Sequence, residues 1–116
     1  MNVGSIGEDI AADYLDLYGF TIIERNYRWR HGEIDIICEY AGGLVFVEVK
    51  TRQTASGGEP YQAVNQVKLN KIRATGLHFA YKSGRAHYRM RIDVISIHIK
   101  PDGALDRLKH FQNVQL

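Results

Sequence analysis

Two runs, Glu33–Tyr40 and Leu44–Arg52, are apolar on both of the faces a β-strand presents, and only Ala41-Gly42-Gly43 separates them. In the first, Ile34, Ile36 and Cys38 alternate with Asp35 and Ile37. In the second, Val45, Val47 and Val49 alternate with Leu44, Phe46, Glu48 and Lys50. Strands without a polar face belong inside a sheet covered on both sides. A short glycine-containing turn between them makes an antiparallel hairpin. These segments therefore demand layers, with helices packed on a central sheet.

The rest of the chain supplies the layers. Its 116 residues suit one domain, 1–116. Val3–Tyr18 reads as an amphipathic helix, with Ile6, Ile10, Tyr14 and Leu17 at helical spacing, Ser5-Ile6-Gly7-Glu8 as a capping box and Gly19 as a stop. Phe20–Trp29 reads as a strand, with Arg25, Tyr27, Trp29 and His31 on one face. Gln53–Glu59 is a Gly/Ser loop, Pro60 suits a first helical position, and Tyr61–Tyr81 reads as a helix broken by Ser83-Gly84. Tyr88–Ile99 is a last long strand, and the tail from Ala104 fits a short helix or a strand. The order is αβββαβ: an antiparallel meander, then a helix that allows a parallel crossover strand. A mixed α/β sheet with flanking helices is expected.

Composition excludes several classes. An apolar share of 45% and a charged share of 24% are ordinary for a globular chain and allow a core without staples. A single cysteine, Cys38, cannot form an intrachain disulfide. No apolar run approaches a membrane span and no basic-then-apolar signal opens the sequence, so a cytoplasmic protein is expected. The charge is unevenly spread. Residues 1–59 hold ten acids against five Lys/Arg, whereas residues 60–92 hold seven Lys/Arg and no acid. Such a division is expected where one region meets phosphates and another holds a cation.

The cation would sit at the anomaly in the apolar strands. Asp35, Glu48 and Lys50 are ionisable groups in segments that ought to be buried, and burying an unpaired charge is costly. Residues opposed across a hairpin share a face. A turn centred on Ala41-Gly42 makes opposed residue numbers sum to 83 and sets Asp35 against Glu48; one centred on Gly42-Gly43 makes the sum 85 and sets Asp35 against Lys50. Both registers put the three on one face. Hard oxygen ligands of this kind suit Mg²⁺ or Mn²⁺, and such an ion would polarise a phosphodiester. Lys50 would orient the attacking water or offset charge developing on the phosphate. A structural ion pair between Lys50 and one carboxylate is the alternative. Arg52, Lys68 and Lys71 are expected near the same end as Lys50, as a surface for a nucleic-acid backbone. Nothing reads as a base-reading helix, so recognition of backbone shape or of a junction is expected over sequence specificity.

Asp35, twelve intervening residues and Glu48-Val49-Lys50 resemble the PD-(D/E)XK nuclease signature, with Ile34 in place of its proline. The run Gly32–Ile37 followed by Leu44–Arg52 resembles the YraN-like family of uncharacterised bacterial proteins. So do Gly7-Glu8 with Ala11, Ala12, Tyr14 and Leu15, then Pro60, Ala63-Val64, Lys68 and Arg91-Ile92-Asp93-Val94. That family is similar to archaeal Holliday junction resolvases. The resemblance implies a restriction-endonuclease-like fold and a metal-dependent endonuclease acting on DNA, branched or junction DNA included. It implies Glu8 as a further metal ligand, the Val49 carbonyl as another, and Lys68 as a lysine near the scissile phosphate. It implies a homodimer, since a junction has two symmetric strands to cut. The rival reading is a nucleic-acid-binding module that keeps the fold with little or no catalysis. For Arg91 and Asp93 a structural ion pair explains the pattern equally well.

Overall fold

Ala41 and Gly42 both take positive φ, 51° and 80°, in the computed structural model, which describes residues 1–53 and 64–115. A two-residue turn with both φ angles positive matches the twist of a hairpin. It selects the first of the two registers, with Tyr40 opposite Gly43 and Ile36 opposite Val47.

The chain runs α1 (Val3–Leu17), β1 (Thr21–Trp29), β2 (Gly32–Tyr40), β3 (Gly43–Gln53), α2 (Gln66–Lys82), β4 (Arg89–Ile99) and β5 (Leu105–Phe111). The sheet order follows the sequence, β1-β2-β3-β4-β5. All neighbours are antiparallel except β3 and β4, which α2 joins as a parallel crossover. The ambiguous tail is thus a strand. Mostly exposed, with Asp106, Arg107 and Lys109, β5 has the charged character that protects a sheet edge.

Each face of the sheet has its own core. Leu44, Phe46, Ile92 and Val94 pack with Leu69, Ile72 and Phe79 of α2. Val45, Val47, Ile95 and Ile97 pack with Ala11 and Leu15 of α1. The buried stripe of α1 is Gly7, Ala11, Ala12 and Leu15; Leu17, expected on the inner face, is exposed. Small residues line the contact because α1 lies close to β3: a Cβ on Gly7 would stand 1.8 Å from Thr51 Oγ1. Among the described residues, no helix is long and apolar enough to cross a membrane.

Three local expectations are corrected. Asn2, not Ser5, caps α1, accepting the Ser5 amide at 3.0 Å, so Glu8 closes no capping box. Asn65 caps α2 and accepts the Lys68 amide at 2.9 Å, so the helix starts at Gln66 rather than Tyr61. Pro60 and Ala63, with most of the expected Gln53–Glu59 loop, lie outside the described residues. Finally, Arg25 and Tyr27 do not share a face. Arg25 reaches Asp9 of α1 at 2.9 Å, whereas Tyr27 packs edge-on against Phe79 of α2.

The cause is a kink. Asn26, between them, has φ 56°, a left-handed conformation that asparagine tolerates and that interrupts strand alternation. On β2, Asp35 lies between Ile34, which faces α2, and Ile36, which faces α1. Those two isoleucines were expected on one face. The kink crosses both strands at the position of Asp35.

Candidate active site

At the kink β2 stops pairing with β3: their ladder ends at Ile36 and Val47. The Asp35 side chain takes over, accepting the Val49 amide at Oδ2, 2.7 Å away. Beyond that point β3 alternates regularly, so Glu48 and Lys50 both face α2. Lys50 Nζ lies 3.4 Å from Glu48 Oε2, and Lys68 Nζ, from the first turn of α2, lies 2.5 Å from the same oxygen. Asp35, Glu48, Lys50, Lys68 and Lys71 line one open cleft of about 480 Å³, with His31, Glu33 and Asn65 on its walls. The start of α2 faces this cleft, and the partial positive charge of a helix N-terminus favours a phosphate there.

The carboxylates are electrostatically frustrated. Burial, then the hydrogen bond and charge of Glu48, push the Asp35 carboxyl from 3.8 up to about 8, although the Val49 amide pulls the other way. Near neutral pH the Asp35 carboxyl therefore tends to keep its proton beside Glu48. Glu48 is 4% exposed. Its Oε2 touches both ammonium groups yet has no hydrogen bond of good geometry. Burial and the Lys68 ammonium lower the Lys50 pKa. For Lys68, burial opposes the charge, but Glu48 outweighs it and the pKa rises.

This donor set fits a hard divalent cation. The donors are oxygens, the raised Asp35 pKa marks where positive charge is lacking, and one buried oxygen is without a hydrogen bond. No cluster of three or more His, Cys, Asp or Glu suited to a metal occurs among the described residues. Mg²⁺ is commonly held by only one or two carboxylates with waters and substrate phosphate, so a pair is sufficient.

Of the other expected residues, Val49 lines the cleft, whereas Glu8 and Arg52 stand outside its lining. Glu8 does not line the cleft; its Oε1 accepts Asn26 Nδ2 at 3.1 Å and lies 3.8 Å from Arg25. It remains close enough to feel Glu48, although burial is the larger cause of its raised pKa. Val49 lines the cleft with Asp35 and Glu48; its side chain packs on the α1 core and its amide meets Asp35. Arg52 is exposed and does not line the cleft. Glu33, on the cleft wall, pairs with Arg28 at 2.8 Å. Asn65 and His78 were missed as members of this region. Asn65 stands three residues before Lys68, a capping signal that Pro60 drew attention away from.

A second buried acid lies on β4. Asp93 is fully buried and accepts Arg91 Nε and Nη2 (3.0 and 3.1 Å), His110 Nε2 (2.8 Å) and the Asn113 amide (2.9 Å). Burial alone would raise its pKa, but the His110, Asn113 and Arg91 hydrogen bonds outweigh it and lower it. An ionised carboxylate only accepts, so His110 donates from Nε2, and its Nδ1 lies 2.8 Å from the Tyr14 hydroxyl.

The mixed sheet, the αβββα order and the cleft beside β3 define a restriction-endonuclease-like domain. The model of the uncharacterised protein family UPF0102 matches residues 7–97, and the chain belongs to that family. It is 39% identical over 112 residues to a UPF0102 protein of Caldanaerobacter subterraneus subsp. tengcongensis, covering 96% of this chain and 92% of that protein. It is 43% identical over 112 residues to one of Geobacter sulfurreducens, covering 96% and 86%. With one of Rhodococcus jostii it shares 44% over 97 residues, covering 84% and 82%.

Proposed function

We propose that this chain is a cytoplasmic metal-dependent endonuclease that hydrolyses phosphodiester bonds of DNA, branched or junction DNA included. The observation that carries this reading is the pair of half-buried Asp35 and buried Glu48, flanked by Lys50 and Lys68 in an open cleft. Two adjacent carboxylates withdrawn from water repel each other unless a cation joins them. Asp35 and Glu48 would hold Mg²⁺ or Mn²⁺; the family resemblance adds the Val49 carbonyl and Glu8. The bound ion would polarise the phosphodiester. Lys50, its charge already weakened by burial, orients the attacking water and offsets charge on the phosphate. Lys68 and Lys71 hold the phosphate inside the cleft, and Arg52 meets the strand beyond it. By analogy with resolvases, two copies act together on a junction, which size-exclusion chromatography with and without DNA checks.

One observation favours a second reading. The Lys68–Glu48 ion pair neutralises the carboxylate without a metal, as a binding module with no catalysis would require. Labelled branched and linear DNA, incubated with Mg²⁺, Mn²⁺ or EDTA, separates the two. The nuclease reading expects cleavage that EDTA abolishes and that Asp35→Asn reduces at least about 100-fold. Tight, salt-dependent binding with no cleavage of any substrate would establish the module instead.

A further inference from the structure

The β1–β2 turn carries a stack that the cleavage chemistry does not use. The Trp29 ring lies against the His78 ring of α2, with centroids 4.4 Å apart and planes 12° from parallel. The Arg30 guanidinium also stands over the Trp29 ring, 4.4 Å from its centroid. His78 is fixed in turn, because the Tyr27 hydroxyl meets its Nδ1 at 2.6 Å and Tyr27 packs edge-on against Phe79. Trp29 thus rests on a partner tied to the core. Arg30 is different. It is exposed, sits at the turn with φ 55°, and has no carboxylate partner among the described residues, whereas its neighbour Arg28 pairs with Glu33.

The stack is continuous with the cleft. His31 and Gly32, the next residues along the chain, line it together with Asp35 and Glu48. On α2, Lys68, Lys71, Thr75 and His78 recur at helical spacing, with Thr75 buried beneath Gly32, so the cleft lysines and the Trp29 partner belong to one helix face. Lys68 and His78 are about 15 Å apart along the axis, by the rise per residue of a helix. Lysines in the cleft and, along the same helix face, a half-exposed indole under an arginine with no carboxylate partner among the described residues suit a surface that follows a strand and stacks its bases.

We propose that Trp29 is the stacking station for an unpaired nucleobase on the strand held at Asp35 and Glu48, and that substrates carry single-stranded nucleotides beside the cut. This rests on the nucleic-acid reading of the cleft. Arg30 leaves the indole for a phosphate, and the base takes its place over the ring. Bases inside an unbroken duplex are already stacked on their neighbours and cannot make this exchange without unpairing.

Trp29 is the only tryptophan in the chain, so its fluorescence reports on the stack directly. The full chain in EDTA, where no metal-dependent cleavage occurs, is titrated with a single-stranded oligonucleotide, a flap duplex, a blunt duplex and an abasic strand of equal length. Quenching is expected with the first two and little with the others. By anisotropy of labelled DNA, Trp29→Ala should weaken single-strand binding about tenfold and Trp29→Phe should recover most of it. Neither should alter blunt-duplex binding, and circular dichroism verifies that both variants fold. Binding that leaves Trp29 unquenched, or equal single-strand affinity in Trp29→Ala, overturns the station even if the protein cleaves DNA. Quenching and discrimination without cleavage keep the station and overturn the nuclease. Failure of every oligonucleotide to bind overturns both.

Discussion

Asp93 and Asp35 are acids on interior strands of one sheet, yet their surroundings differ in kind. Asp93 accepts hydrogen bonds from Arg91, His110 and Asn113, and its pKa falls. Asp35 has the Val49 amide and a second carboxylate, and its pKa rises to about 8. The first arrangement completes a buried charge inside the protein. The second leaves it incomplete, which a fold tolerates where a ligand finishes the arrangement. From sequence Asp35 is read as a metal ligand, whereas for Asp93 a structural ion pair with Arg91 explains the pattern equally well. Asp93 is the more deeply buried of the two, so it is the satisfaction of its hydrogen bonds, not lighter burial, that keeps its charge.

The sharpest way to break this contrast is to neutralise each acid. Asp93→Ala should cost about 3–5 kcal/mol, because Arg91 and His110 lose their acceptor. Its Tm should fall by more than about 10 °C in a thermal melt. Asp35→Asn should do the reverse in EDTA at pH 8: it removes a buried like-charge contact and gains on the order of 1–2 kcal/mol, while cleavage is lost. An Asp35→Asn chain less stable than the wild type at pH 8 would place Asp35 with Asp93, as a structural acid.

The same contrast predicts two opposite limbs in stability against pH. Asp35 has a folded pKa above its unfolded value, so the folded state keeps a proton that the unfolded chain has released. Its contribution is fully present below 3.8 and is lost as pH rises through about 8. Asp93 has a depressed folded pKa. Its contribution is present above the ordinary carboxylate value and is lost as acid titrates it. Melts from pH 3 to pH 9 in EDTA should show both limbs. Asp35→Asn should flatten the neutral limb and leave the acid limb in place.

What could be read from sequence follows the regularity of the backbone. Glu48 and Lys50 lie on the regular part of β3, so period-two alternation put them on one face, and the Ala41-Gly42 turn set one of the two registers considered. The kink at Asn26 and Asp35 broke the same rule. Arg25 and Tyr27, like Ile34 and Ile36, were assigned together and lie on opposite faces. Only the tolerance of asparagine for positive φ hinted at it, and many strand-end asparagines would give the same hint. The satisfaction of Asp93 depended on His110, which lies in the ambiguous tail and pairs with Ile95 of β4, and no local pattern links them.

A smaller effect tests what keeps the Asp35–Glu48 site incomplete. Lys68 occupies the Glu48 oxygen that a divalent cation would take, so lysine and metal compete. Lys68→Met should lower stability in EDTA by about 1–3 kcal/mol, since Glu48 loses its nearer ammonium. It should also gain more Tm from Mn²⁺ than the wild type does, as expected when a bound ion stabilises the folded state. Equal Mn²⁺ shifts in both proteins would mean that lysine and metal do not share a position.

The smallest effect concerns Glu8, which the family resemblance groups with the metal ligands and the geometry holds at the margin. Its carboxylate is engaged by Asn26 at 3.1 Å, with Arg25 at 3.8 Å, and it is absent from the cleft wall. To reach a cation bound at Asp35 and Glu48 it must give up the Asn26 contact, which offsets part of what the metal returns. Asn26 is also the residue whose backbone makes the kink, so Glu8 already supports the geometry of Asp35 from the far side of the strand pair. Glu8→Gln keeps that hydrogen bond and removes only the charge. It should therefore weaken Mn²⁺ binding, measured by calorimetry, by less than about tenfold, the lower end of what a residue beside the ligands contributes. A loss equal to that of Asp35→Asn would make Glu8 a full ligand. The incomplete pair would then be a three-carboxylate centre that closes only when the metal draws α1 toward β2.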